Sequence, residues 1–247
     1  MFTQQQMNKI TRRSFIGKVG GLVTASIFMT SNGSWGEAKS TQREDQKSKM
    51  KGTIEVSPVE DLMREHGVLS RGLLIYDEII SRIAKGTKYS PEVLADTAGL
   101  IRRFIEEYHE KLEENYIFPR FEKAGNLVDL VKILLEQHRA GRGLTERIIK
   151  MATAGVMENG DKKRQLAQYL RLFTRMYRPH KAREDTMLFP AFHSIVLADE
   201  YDLLGEKFED KEKELFGEDG FEKVVEEVAG LEKSLGIYEL SQFTAKA

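Results

Sequence analysis

Two stretches of the chain carry the same residues at the same spacing: His109-x3-Glu113-x4-Phe118-Pro119-x-Phe121 and, 71 residues later, His180-x3-Glu184-x4-Phe189-Pro190-x-Phe192. Each is preceded by one further histidine. His66 lies 43 residues before His109, and His138 lies 42 residues before His180. A histidine and a glutamate four residues apart share one face of a helix. Two such pairs and two lone histidines, on four helices that converge, would build a binuclear metal site of nitrogen and oxygen ligands. A single His-x3-Glu is a common helical pair, and a lone histidine on an apolar face is more often a satisfied core residue. The repetition of the whole pattern, upstream histidines included, is what points to a site.

Four neutral imidazoles and two carboxylates form a ligand set of intermediate hardness, suited to iron, manganese or zinc. If both carboxylates bridge, each metal receives two histidines and two carboxylate oxygens. Octahedral preference then leaves room for solvent, a bridging oxygen species and one small exogenous ligand. Burial in an apolar bundle keeps such a site small and dry, so oxygen, nitric oxide or peroxide fits better than a large organic substrate.

The elements that must position these residues are helices. Ser57-Pro58-Val59-Glu60 reads as a helix start, with an N-cap serine, proline in the first turn and glutamate at the capping-box position. Val59, Leu62, His66, Leu69, Leu73, Tyr76, Ile80 and Ile83 then recur at spacings of three and four, and Lys85-Gly86 closes the helix. Ser90-Pro91-Glu92 opens a second helix with Leu94, Ala98, Ile101, Ile105, His109, Leu112, Glu113 and Tyr116 inward, kinked or ended at Pro119. A third helix is expected from about Leu127 to Ala154, capped by Asn126. Its inner side is Val131, Leu134, His138, Gly141, Thr145, Ile148 and Ala152, with Gly141 and Gly143 permitting close packing. A fourth begins near Asp161 or Lys162, with Tyr177, His180, Glu184 and Met187 inward and a kink from Pro179 just before His180. The fold class is therefore all-α, an antiparallel four-helix bundle with two additional C-terminal helices. Residues 198–247 form that extension, and within it residues 199–235 carry a net charge of −9, read as a mostly solvated face.

The order and spacing of His66, His109-Glu110-x-x-Glu113, His138 and His180-x3-Glu184 resemble the hemerythrin-like (HHE cation-binding) family of non-haem di-iron proteins, over residues 56–197. The resemblance implies two iron ions joined by an oxo or hydroxo bridge, with manganese or zinc less expected. It implies His66, His109, His138 and His180 as terminal ligands and Glu113 and Glu184 as bridges. Family roles are oxygen binding, nitric oxide chemistry, redox sensing or iron handling. One departure matters: oxygen-carrying hemerythrins have another histidine four residues after the one at the His138 position, where this chain has Arg142. That weighs against reversible oxygen carriage and frees a coordination position.

Two acids remain secondary candidates. Glu110 follows His109 directly, as in some relatives; a position about 100° round the helix favours a solvent-facing acid instead. Asp185 stands where oxygen carriers place an aspartate ligand. Glu184 is preferred because it repeats the offset of Glu113 and continues the seam through Tyr177, His180 and Met187. Tyr116 and Tyr177 face the site by spacing, and His193 is expected at the surface or behind the ligands. A ferritin-like site is disfavoured, since Glu106-x-x-His109 has no second copy.

The remaining composition narrows the class. At 247 residues, 40% hydrophobic and 31% charged, the chain suits one ordinary domain with extensions. A net charge of −1 offers nothing for nucleic acid. The absence of cysteine excludes disulfides, zinc–thiolate sites, iron–sulfur clusters and a thiol nucleophile. Thr11-Arg12-Arg13-Ser14-Phe15-Ile16-Gly17 resembles the twin-arginine export motif, and a mildly apolar stretch to Met29 and small residues at Gly36-Glu37-Ala38 follow it. Residues 1–38 thus read as a signal peptide, with periplasmic or other exported destination and no permanent membrane span. Residues 39–55 read as a linker. The leading functional reading is a binding or sensing protein for a small diatomic ligand, or one that handles iron. The rivals are a di-iron oxidase, peroxidase or nitric oxide reductase with an unknown redox partner, and, last, a helical adaptor.

Overall fold

The computed structural model describes residues 56–245, so the expected signal peptide and linker lie outside the described residues. Within them every regular element is helical. Helix α1 is Pro58–Lys85; the Ser57 hydroxyl accepts the Glu60 amide at 3.3 Å, and Gly86 closes it at φ 68°. Leu62, Leu69, Leu73, Tyr76 and Ile79 are buried along one stripe, with Ile79 rather than Ile80 at its end.

Helix α2 spans residues 91–124 and is not uniform. An α-helical Pro91–Leu100 passes into wide π turns over Ile101–His109. One α turn, Glu110–Leu112, follows, then a second π turn, Glu113–Ile117, then Phe118–Ala124. Helix α3 is Val128–Met151 and the short α4 is Ala154–Met157. Helix α5 spans residues 160–192, as Gly160–Arg183, a π turn at Glu184–Leu188 and Phe189–Phe192. The α1 stripe packs on α5, α5 on α3, α3 on α2, and α2 on α1, which closes the four-helix bundle. Helices α6 (Ala198–Phe216) and α7 (Gly220–Ser234) follow. Among the described residues no helix is long and apolar enough to cross a membrane.

The repeated Phe-Pro explains the repeated π turn. Proline has no N–H to give to the carbonyl four residues back. The turn widens instead, and the amides of Phe118 and Phe189, just before each proline, reach back five residues to the carbonyls of Glu113 and Glu184. Such π turns inside α-helices recur at functional sites. The extra residue shifts the helix phase by one position in both halves. Ile117 and Leu188 are therefore the buried residues, not Tyr116 and Met187, and Met187 is 43% exposed. Tyr116 turns outward onto Phe208 beneath Lys207.

Pro179 lies inside α5, which keeps its α-helical form through it to Arg183, and the wide turn lies downstream at Glu184–Leu188. Pro179 and Arg175, whose carbonyl loses its donor, are both exposed, on the side of the helix that faces solvent. The start of α3 also differs from expectation. Leu127, at φ 49°, holds the N-cap position, while the Asn126 amide closes α2 on the Phe121 carbonyl at 3.1 Å.

The acidic extension is less solvated than its charge implied. Arg71 donates to both carboxylate oxygens of Glu232, at 3.0 and 2.5 Å, and Arg120 reaches Glu200 at 2.7 Å. Arg103 reaches Glu227 at 2.7 Å. The bundle's arginines thus take up part of the extension's negative charge.

Candidate metal centre

The four repeat histidines converge with their Nε2 atoms paired. His66 and His109 bring theirs to 3.1 Å, and His138 and His180 to 3.2 Å. The two glutamates lie between the pairs. Glu184 is 3.1 Å from Nε2 of His180 and 3.3 Å from Nε2 of His66. Glu113 is 3.6 Å from Nε2 of His109 and 3.5 Å from Nε2 of His138. Each carboxylate therefore faces one histidine of either pair. Side chains of all six residues are buried, and they form two groups with the reach to hold a cation, His66–His109–Glu113 and His138–His180–Glu184.

The outer nitrogen of every ring is also occupied. Nδ1 of His66 meets Asp185 at 2.7 Å, and Nδ1 of His109 meets Glu65 at 2.7 Å. Nδ1 of His138 meets Glu114 at 3.1 Å, and Nδ1 of His180 meets the Gln137 amide oxygen at 2.8 Å. A carboxylate or amide oxygen can only accept here, so Nδ1 donates and Nε2 is the nitrogen turned inward, where its lone pair could hold a metal. Phe189 stacks on His66 at 5.6 Å and Phe118 on His138 at 5.5 Å, so each Phe-Pro tail fixes the ring of the opposite half. Asp185 is thus placed behind His66, not between the pairs. Glu65, Gln137 and Glu114 were not singled out from the sequence. The signal was available: a Glu or Gln precedes each upstream histidine and an acid follows each repeat glutamate.

Neighbouring charges hold the acids of this cluster in different protonation states. Burial, then the charge of Glu184, pushes Glu113 well above the usual carboxylate range. Burial acts against the charge of Glu184 too, but His180 and His66 outweigh it and hold the group below that range. Burial lowers His109, helped by the charge of His66, and lowers His138 to about 4.

All four carboxylate oxygens of Glu113 and Glu184 are buried without a hydrogen-bond partner. An unpaired buried carboxylate costs several kcal/mol, roughly, even after the protein relaxes. A pair of cations would satisfy these oxygens and the inward lone pairs together, so the residues present fit a dinuclear metal.

Glu110 corrects the solvent-facing expectation. It is 1% exposed, because the flanking π turns rotate it inward. It accepts from the Tyr177 hydroxyl at 2.6 Å and from Arg142 at 2.7 Å, and burial pushes it up to about 8. Arg142, at the position of the missing histidine, also reaches Glu114 at 2.5 Å. Tyr177 is the tyrosine that reaches the site, its ring 5.3 Å from His180, while His193 is exposed and packs on Tyr201.

Gly141 makes room for that hydroxyl. A methyl group there would overlap the Tyr177 hydroxyl, with ring carbon Cζ at 2.7 Å. Gly141→Ala is expected to expel Tyr177 from Glu110 and cost about 1–3 kcal/mol of stability, as overpacking does. Gly143, with open space where a Cβ would sit, should accept alanine without loss. Thermal melts of the two variants make the comparison, and equal melting temperatures would refute it.

The comparisons with known proteins agree with this geometry. A sequence profile of the hemerythrin HHE cation binding domain matches residues 57–192 and, overlapping, 129–236. An uncharacterized protein of Mycobacterium bovis is 49% identical over 191 residues, 77% of this chain and 75% of its own. Uncharacterized proteins from two strains of Mycobacterium tuberculosis are similar to the same extent, 49% over 191 residues. No solved structure matches. Six inward histidine and glutamate side chains in two halves, and a profile match across the whole bundle, place this chain in the hemerythrin HHE cation-binding domain family.

Proposed function

We propose that this protein is an exported di-iron protein that binds or senses oxygen or nitric oxide, or handles iron, outside the cytoplasm. The observation that carries the dinuclear reading is the set of four orphaned carboxylate oxygens facing four histidine Nε2 atoms. His66, His109, His138 and His180 would be terminal ligands, and Glu113 and Glu184 would bridge. Iron held there would supply binding of a small ligand and one-electron chemistry toward it. The chain supplies the rest. Asp185, Glu65, Glu114 and Gln137 lock the rings, Phe118 and Phe189 exclude water beside them, and Tyr177 presents a hydroxyl next to His180.

Metal analysis with optical spectra of oxidised and reduced protein tests this reading. Two irons per chain, and a spectral change with oxygen, azide or nitric oxide, are the expected results. One zinc per chain, or no response to any of the three, would overturn it.

A redox enzyme is the second reading, and one observation favours it. Tyr177, Glu110, Arg142 and Glu114 form a continuous hydrogen-bonded chain that ends on residues partly open to solvent. Within it Glu110, raised by burial to about 8, could give up a proton beside Tyr177 in a peroxide or nitric oxide reduction, with Arg142 holding both acids in place. Multiple-turnover consumption of either substrate with an electron donor would establish it, and single-turnover behaviour would exclude it.

Export rests on the Arg12-Arg13 motif in residues 1–38. Replacing both arginines by lysine is expected to leave the precursor in the cytoplasm, read by fractionation. Undiminished export would refute the assignment.

A further inference from the structure

The two halves of the repeat differ in what covers them. In the first half α6 and α7 lie over the seam of α1 and α2. Phe216 meets Phe104 at 5.5 Å and Tyr108 at 5.4 Å, and Phe221 meets Phe104 at 6.4 Å. Arg71 clamps Glu232 and also reaches the Val225 carbonyl at 3.3 Å. An acidic amphipathic helix is thereby seated on an apolar seam and pinned by arginine.

The repeat register locates the counterpart of that seam. His66 and His138 are 72 residues apart, and His109 and His180 are 71 apart. On this register Val68, Ile101, Phe104 and Tyr108 correspond to Ala140, Leu172, Arg175 and Pro179. The first four are buried; the second four are exposed. They line an open groove between α3 and α5 of about 680 Å³, together with Leu144, Met176, Arg139 and Arg147. Its floor is apolar and its edges carry three arginines. The α5 segment 160–183 has eight basic residues and one acid, against the net −9 of residues 199–235.

We propose that this groove is a docking site for an acidic amphipathic helix of a partner protein, seated on α3 and α5 as α7 is seated on α1 and α2. Leu144, Leu172 and Met176 receive the apolar stripe. Arg139, Arg147 and Arg175 receive the acids, as Arg71 and Arg103 receive Glu232 and Glu227 in the covered half. This is the helix-in-groove mode of recognition. The groove also touches the centre. Gln137 lines it and holds Nδ1 of His180 at 2.8 Å, whereas its counterpart Glu65 is fully buried. A docked helix would seal Gln137 from water as Glu65 is sealed.

The probe is a fluorescent peptide with the sequence of residues 218–236, which carries the chemistry of α7. The mature full-length protein, metal loaded, carries a photo-crosslinking residue in place of Leu172. Crosslinking of the peptide to the groove is expected, weakening as salt is raised. In Arg147→Glu/Arg175→Glu, whose side chains are exposed and outside the core, binding should weaken by about tenfold or more. Circular dichroism confirms that this variant is folded. The proposal is overturned if the peptide is not captured at position 172, or if capture is indifferent to charge reversal. Salt-sensitive dimerisation lost in the same variant would assign the groove to a second copy. Binding to anionic vesicles without binding to the peptide would assign it to a lipid surface. Both also overturn the proposal. None of these readouts depends on the identity of the metal.

Discussion

Glu184→Gln is expected to lower the metal content from two ions per chain to one and to abolish the spectrum of a coupled pair. Asp185→Asn is expected to retain both ions with roughly 10–100-fold weaker affinity, the usual cost of losing a residue behind a ligand. The two acids are adjacent in sequence and opposite in role. Glu184 is the side chain of α5 whose oxygens face Nε2 of His180 and Nε2 of His66 together. Glutamine there keeps the shape but replaces one anionic oxygen with an amide NH₂ that repels a cation. Asp185 sits on the far nitrogen of His66, where asparagine still offers an accepting oxygen. Metal analysis and optical spectra of both variants decide the matter, and the reverse pattern would move the ligand to Asp185.

Stripping the metal is expected to destabilise the fold, and by more at alkaline pH. With free metal roughly a thousandfold above Kd, linkage contributes about 4 kcal/mol. For a domain of this size that is a Tm difference of about 8–16 °C. The pH dependence follows from His66. In the metal-free protein burial opposes its charge, but the hydrogen bond to Asp185 and the negative charge of Glu184 outweigh burial and raise it from 6.5 to about 9. A histidine raised on folding adds stability that is fully present below pH 6.5 and lost as pH climbs through 9. Glu110, raised by burial to about 8, acts in the same direction, since keeping its proton or its charge buried becomes costlier as pH rises. Metal must displace the His66 proton, so binding strengthens across the same window. The gap between loaded and stripped protein should therefore widen between pH 6.5 and 9. Calorimetry of both forms at either end measures it, and a constant gap would remove His66 from the ligand set.

Much of the bundle was legible in the sequence because its signals are local. Ser57-Pro58 and Gly86 delimit α1 as expected, and the α3 stripe from Val131 through His138 to Ile148 is buried. The six converging residues were legible because they repeat. What escaped was the local consequence of Phe-Pro. A proline was read as a kink or a stop, whereas here it widens the preceding turn and rephases the helix. That single effect misplaced Tyr116 and Met187, while Glu110 follows a separate π stretch, Ile101–His109, that no proline announces. The residues behind the histidines escaped for another reason: Glu65 and Gln137 look like ordinary surface acids and amides until the partner helix is in place. The charge of the extension misled in the same way, since pairing with Arg71 or Arg103 spans long stretches of chain that composition does not report.

The crossed support of the histidines has a consequence for biosynthesis. His66, His109 and Glu113 leave the ribosome early, and by composition they already look like half a site. Yet the residue that orients His66 is Asp185, 119 positions later, and the ring that stacks on it, Phe189, comes later still. A nascent chain that ends before α5 therefore has His66 without the residues that fix its ring, and lacks Glu184 altogether. An ion held by all six residues would enter only after the last bundle helix has docked, since that helix brings Glu184 and the partners of His66.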